Sequence, residues 1–196
     1  MLSLLLLNTI GNNNGKQGEC MNFHSEFPHG GKGKQYPPLL EYLKKSQPMN
    51  TELKWLDYGA GKGGTAAWLQ GFFPDVEITC YDPYWQPYEK LPTDRYDCVY
   101  SCDVLEHITR DQCMDQQGPL AQMSKLTLGP VYLIIDLTPA KKTLKDGRNA
   151  HVNLQSPASW IADCEEFFTV NTHRTWSVAD PRFGKRTRLC IEGTCK

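Results

Sequence analysis

Apolar positions in the central part of the chain fall into short runs punctuated by glycine, proline and charge. Leu53 to Tyr58 is a strand-like run that opens into Gly59-Ala60-Gly61-Lys62-Gly63-Gly64, and Thr65 to Gly71 follows as a short helix stopped by glycine and Pro74. Glu77 to Tyr81 is a second strand, closed by Asp82-Pro83, and Asp97 to Cys102 is a third. A helical region spans Thr109 to Lys125, with Thr109 and Gln112 spaced as a capping box. Val131 to Leu137 is apolar without interruption, as suits a parallel strand covered on both faces. A long loop from Thr138 to Gln155 leads to a helix over Pro157 to Glu166. The tail reads as two strands, Thr169 to Ser177 and Thr187 to Glu192, joined by the polar stretch Ala179 to Arg186. Strands alternating with helices predict an α/β fold with a mostly parallel sheet that ends in an antiparallel hairpin.

The first 45 residues have a different texture. Met1 to Ile10 contains Leu4-Leu5-Leu6-Leu7 but lacks a basic leader and is about half the length of a membrane span, so it reads as a short element packing on the body. Asn8 to Pro38 is rich in Gly, Asn and Lys, and His24 to Gln35 reads as a lid. Leu39, Leu40 and Leu43 then stand at helical spacing. The division expected is a lid-like extension with a helix over 1–45, and a main domain over 46–196.

Length and charge narrow the function. With 196 residues the chain has room for one domain and its core, and 21 basic against 22 acidic residues exclude a protein that coats nucleic acid or an anionic membrane. The eight cysteines contain no C-x-x-C pair, and several lie in apolar runs, so they read as reduced residues of a cytoplasmic protein. Oligomeric state is not readable from the sequence.

The chemistry concentrates in the glycine turn, where the backbone can approach a ligand and a helix N-terminus follows. A P-loop would need Lys followed by Ser or Thr after its last glycine, and Gly64 is followed directly by Thr65. Gly59, Gly61 and Gly64 match the dinucleotide pattern G-x-G-x-x-G, with Asp82 placed to hold ribose hydroxyls. Asp57, two residues ahead of the first glycine, would repel a pyrophosphate but suits a cationic ligand.

The stretch Leu56-Asp57-Tyr58-Gly59-Ala60-Gly61-Lys62-Gly63 resembles motif I of class I S-adenosylmethionine-dependent methyltransferases, which have a Rossmann-like sheet. The resemblance continues through Tyr81-Asp82-Pro83 and through the strand and turn from Tyr96 to Ile108. It implies that Asp57, Gly59, Ala60, Gly61, Asp82 and Pro83 hold S-adenosylmethionine, with Ser101, Cys102 and Asp103 along its methionine end. Only Tyr84 to Arg95 separates the ribose acid from the next strand, so the helix and third strand usual in the family are abridged to a loop, where Tyr84 or Trp85 stacks on adenine.

Methyl transfer to a hydroxyl or amine needs alignment and, in many cases, a base. Asp103, Glu106 and His107 share one face of a helical turn beyond the strand, and with His151 they form the expected catalytic group of His107, Glu106 and His151. Asp103-x-x-Glu106-His107 also resembles the Glu-x-x-Glu-His motif of ubiquinone-biosynthesis O-methyltransferases and of RNA 3′-terminal 2′-O-methyltransferases. In the RNA enzymes such residues hold a divalent ion, which implies a metal set of Asp103, Glu106, His107 and His151. Lys141, Lys142, Lys145 and Arg148 on the long loop, and Arg182, Lys185, Arg186 and Arg188 near the hairpin tip, read as a basic rim that would receive a phosphorylated acceptor. Trp160 and Trp176 read as core. The expected activity is methylation of an oxygen or nitrogen on a small molecule. The alternatives are metal-assisted methylation of an RNA end and a non-catalytic nucleotide or S-adenosylmethionine binding module.

Overall fold

A computed structural model describes residues 35–46, 52–181 and 184–196. The Leu4 to Leu7 run, residues 24–34 of the expected lid, Cys20 and Arg182 lie outside the described residues. Helix α1 (Pro37–Lys45) precedes strand β1 (Lys54–Tyr58), helix α2 (Gly64–Gln70) and strand β2 (Glu77–Tyr81). A 3-10 turn (Gln86–Tyr88) leads to β3 (Cys98–Cys102), a second 3-10 turn (Leu105–His107), α3 (Arg110–Met114), α4 (Pro119–Leu126) and β4 (Pro130–Asp136). Helix α5 (Pro157–Glu165) and the hairpin β5 (Phe168–Asp180) and β6 (Gly184–Cys195) complete the order.

The six strands form one sheet in the order β2-β1-β3-β4-β6-β5. β2, β1, β3 and β4 are parallel, and β6 runs antiparallel to both β4 and β5. The sheet is therefore α/β and Rossmann-like with the expected terminal hairpin. Between β2 and β3 the structure holds only the 3-10 turn and loop, so the abridged unit is real and β2 is left as an edge strand.

Period-two alternation divides the core between the faces. Leu56, Val99, Val131, Leu133, Ile135, Leu189 and Ile191 point to the side covered by Leu120 and Met123 of α4 and Trp160 and Cys164 of α5. Trp55, Cys98, Tyr100, Tyr132, Ile134 and Cys190 point to the other, where Leu39 and Leu43 of α1 and Leu69 of α2 cover them. Pro at the start of α1, α4 and α5 fits the first helical turn, where an N–H is not needed.

Two differences from the sequence reading have local causes. The expected helix over Thr109 to Lys125 is two helices, because Pro119 lacks an N–H and starts α4 afresh, while a Cβ at Gly118 would sit 2.1 Å from the Gln112 carbonyl oxygen. The capping box survives, with Thr109 N–H donating to Gln112 Oε1 at 3.3 Å. At the C-terminus the polar residues after Ser177 extend the ladder instead of forming a loop, with pairing maintained out to Asp180 and Gly184. The alternation there is hydrophilic because much of β5 is exposed at the sheet edge. Trp160 is fully buried as expected, whereas Trp176 is only half-buried on β5.

Candidate functional site

The parallel strands β2, β1, β3 and β4 present their carboxyl ends along one edge, and the chain reverses its direction of winding between β1 and β3. Crevices at such switch points are where open α/β sheets take ligands. Asp57, Asp82, Ser101 and Asp136 all sit at or just beyond these strand ends and are buried.

The glycine turn is built for close approach. Gly59 has φ +80°, and a Cβ there would come within 2.4 Å of Val104 Cγ2, so both conformation and space require glycine. Gly61 and Gly63 also have positive φ, and Gly63 caps α2. Gly64 is already helical, so the pattern in use is the spacing 59, 61, 63 of motif I and not the dinucleotide spacing ending at 64. Amides of Gly59 and Ala60 donate to the Tyr81 carbonyl at 2.8 and 3.0 Å, tying the turn to the end of β2. Asp82 accepts from Gly61 N–H at 2.8 Å and from Tyr84 N–H at 3.0 Å, which fixes its carboxylate beside the turn. Beyond it, Trp85 lies under the Lys62 ammonium, 4.8 Å from ring centre to nitrogen.

Asp57, near the end of β1, is buried. Burial raises its carboxyl to about 7, although the Tyr100 hydroxyl and the Ala66 amide favour the charged form. Its Oδ2 and the buried Ser101 hydroxyl oxygen have no hydrogen-bond partner among the described residues. A polar group brought to these two atoms would complete hydrogen bonds that the described residues leave unmade. An ammonium group beside Asp57 would satisfy the acid and return it to the charged form, so this donor set fits the ammonium side of S-adenosylmethionine.

A second group gathers beyond the end of β3. The 3-10 turn after β3 carries Glu106, which is fully buried, and His107, which is half-buried. The long loop brings His151 in from the other side; its ring centre is 4.7 Å from that of His107 in an edge-on arrangement. Asn149 organises that loop, accepting from the amides of Ala140 and His151 and donating to the Ala140 carbonyl. His107 Nδ1 meets the Ala150 carbonyl at 2.9 Å and His151 Nδ1 meets the Thr138 carbonyl at 2.6 Å. A carbonyl only accepts, so each Nδ1 carries the hydrogen and each Nε2 is left as the basic nitrogen. Burial also holds His151 below its ordinary value, favouring the neutral ring.

The structure regroups the expected metal set. Ligand atoms of Glu106, His107 and His151 lie within 4.8 Å of one another, and so do those of Asp103, Glu106 and Asp136. Asp103 is gripped by Arg188, with Nε to Oδ1 at 2.8 Å and Nη2 to Oδ2 at 2.9 Å. Arg186 pairs with Asp136, and Arg188 reaches the same carboxylate at 3.7 Å. Arg186 and Arg188 are thus not part of an outward rim, since their acidic partners hold them inward; Lys141, Lys142, Lys145, Arg148 and Lys185 remain exposed. Asp136 was missed from the sequence, although its position resembles that of Asp57: a carboxylate closing an apolar strand.

This combination of sheet order, glycine turn and two strand-end acids defines a Rossmann-like α/β fold with its candidate site at the switch point. A model of the methyltransferase domain family matches residues 33–167, and the chain belongs to that family, whose fold is that of the class I S-adenosylmethionine-dependent enzymes. No curated protein matches the sequence. Similar solved structures include TehB from Haemophilus influenzae, at 12% identity and TM-score 0.55 over 89% of this chain and 66% of that one. A second is an S-adenosylmethionine-dependent methyltransferase from Methanosarcina mazei, at 9% identity and TM-score 0.55, covering 83% of this chain and 99% of that one. A third is phosphoethanolamine N-methyltransferase 2 from Haemonchus contortus with S-adenosylmethionine, at 10% identity and TM-score 0.53, covering 90% of this chain and 56% of that one. The chain thus spans just under two thirds of TehB and little more than half of the Haemonchus enzyme. Among the described residues no helix is long and apolar enough to cross a membrane.

Proposed function

We propose that this chain transfers a methyl group from S-adenosylmethionine to an oxygen or nitrogen of a small-molecule acceptor. The observation that carries the reading is the pair of buried carboxylates, Asp57 and Asp82, at the ends of adjacent strands on either side of a turn that only glycine can make. Asp57 and Ser101 would meet the amino-acid end of the donor, Gly59, Ala60 and Gly61 would pass beside it, and Asp82 with Pro83 would hold the ribose. Trp85 and Tyr84 would stand in for the missing third strand as the adenine wall.

When bound, the donor supplies an activated methyl carbon, so the protein's work is alignment, exclusion of water and removal of one proton. His107 and His151 would orient the acceptor hydroxyl or amine, and the Nε2 of either ring would take its proton, with Glu106 stabilising the imidazolium that forms. Lys141, Lys142, Lys145 and Arg148 at the mouth suit a phosphorylated small molecule, and one of the similar structures holds phosphomonomethylethanolamine. The inward turn of Arg186 and Arg188 leaves less cationic surface for an RNA end, which supports the small acceptor.

A second reading has its own support. Two imidazoles oriented through Nδ1 by backbone carbonyls, grouped with one buried carboxylate, match the donor set and outer contacts that a first-row divalent metal would need. Glu106, His107 and His151 would hold the ion, which would make an acceptor hydroxyl more acidic. Isothermal titration of the full chain with S-adenosylmethionine and S-adenosylhomocysteine, with and without Mn²⁺, separates these readings. Binding of both nucleosides is expected, and failure of both to bind refutes methyl transfer. Mn²⁺ binding that H151A abolishes supports the metal, and donor binding with no turnover across a panel of acceptors would instead favour a binding module.

A further inference from the structure

Among the described residues Asp103 alone of the non-glycines has positive φ, at 53°. Aspartate tolerates this left-handed conformation better than most residues, but it persists only where surrounding contacts hold it. Here both ends of the residue are held. Its N–H donates to the Ile134 carbonyl of β4 at 2.8 Å, and its carboxylate lies in the fork of Arg188 from β6. Arg188 is itself buried, 5.5 Å from the centre of the Trp176 ring and 6.0 Å from that of Tyr36, and it leans on Asp136. Four other segments of the chain converge on this guanidinium: Tyr36 at the start of α1, Asp103 after β3, Asp136 at the end of β4 and Trp176 on β5.

Asp103 is also the pivot of the site. Ser101 and Cys102 stand immediately before it on β3, and Leu105, Glu106 and His107 follow in the 3-10 turn. A change in its φ would swing the second group away from the first. Val104, the next residue, packs against Gly59, so the same pivot also sets the back of the glycine turn.

We propose that Arg188 is a positioning residue: by clamping Asp103 in the left-handed conformation it aligns the donor-binding end of β3 and the glycine turn with Glu106 and His107. The proposal rests on the donor-binding reading above and adds that Asp103 acts through its backbone, since its carboxylate is already engaged at both oxygens. Replacement of the fork by a lysine keeps the charge but not the two parallel hydrogen bonds.

The test is the affinity of the full chain for S-adenosylhomocysteine by isothermal titration, with thermal unfolding followed by circular dichroism on the same samples. R188M is expected to weaken binding at least tenfold, because the released turn must be ordered again when the ligand binds, and R188K by a smaller factor. D103G/R188M removes the acid and the base together and places at 103 a residue that adopts positive φ unaided, so its affinity should return to within about threefold of wild type. A purely structural role for Arg188 would lower the unfolding temperature of R188M while its affinity stayed at the wild-type value, and that result overturns the proposal. So does a double variant no better than R188M. Should R188M fail to fold, R188K decides, and wild-type affinity there is equally fatal. Absence of binding by the wild-type chain refutes the donor reading itself, and this proposal with it.

Discussion

Replacing Asp57 by asparagine is the sharpest probe of the donor site, because ligand binding and stability should respond to it in opposite directions. Burial raises the Asp57 carboxyl from the ordinary 3.8 to about 7. Between those values the unfolded chain has released the proton and the folded chain still keeps it. Stability from this group is therefore fully present below about pH 4 and lost as pH rises through about 7, at about 1.4 kcal/mol for each pH unit. Across the window the loss is about 4 kcal/mol, or roughly 10 °C in Tm for a domain of this size. The amide side chain of the D57N variant has no such proton to lose. Thermal unfolding of wild type and D57N, scanned by circular dichroism from pH 4 to pH 8, should show D57N gaining on wild type by that amount as pH rises. An ammonium-bearing donor favours the ionised acid, so wild-type affinity for S-adenosylmethionine should tighten roughly tenfold between pH 5.5 and pH 7, while that of D57N stays weak and flat. Two Tm profiles that run parallel across the whole range would refute the placement of a protonated Asp57 in a dry crevice.

Other consequences can be read from single sites. G59A should abolish S-adenosylhomocysteine binding; G59A/V104A removes the 2.4 Å clash but not the φ of +80°, so calorimetry should show only partial recovery. H107A and H151A should each weaken Mn²⁺ binding at least tenfold if the two rings share an ion. W160A removes a fully buried ring from the centre of the core and should cost about 3–5 kcal/mol in equilibrium urea unfolding.

Much of this protein follows from local pattern. Unbroken apolar runs such as Val131 to Ile135, and glycine and proline at Gly59, Pro74 and Pro119, act over a few residues, so strands, turns and the order of elements can be read directly. The shortness of the stretch from Asp82 to Arg95 likewise predicts a sheet without its third strand, and the strand order bears that out. Motif I was legible because its chemistry needs contiguous residues: a strand-end acid followed by glycines at 59, 61 and 63. The helix break at Gly118-Pro119 could also have been read, since proline marks a first turn as firmly as it marks an end.

The tertiary structure alone decided which charged residues face the site. Arg186 and Arg188 have the composition of a solvated rim, yet antiparallel pairing of β6 with β4 sets Arg188 opposite Asp136, and burial makes an ion pair there far more consequential than at the surface. Asp103, Glu106, His107 and His151 look like one set of four in sequence. In space one acid is drawn off by a guanidinium 85 positions away, and the other three are left together. Sequence determines each residue's local conformation and reach; which partner it meets depends on how strands distant in the chain are brought into register.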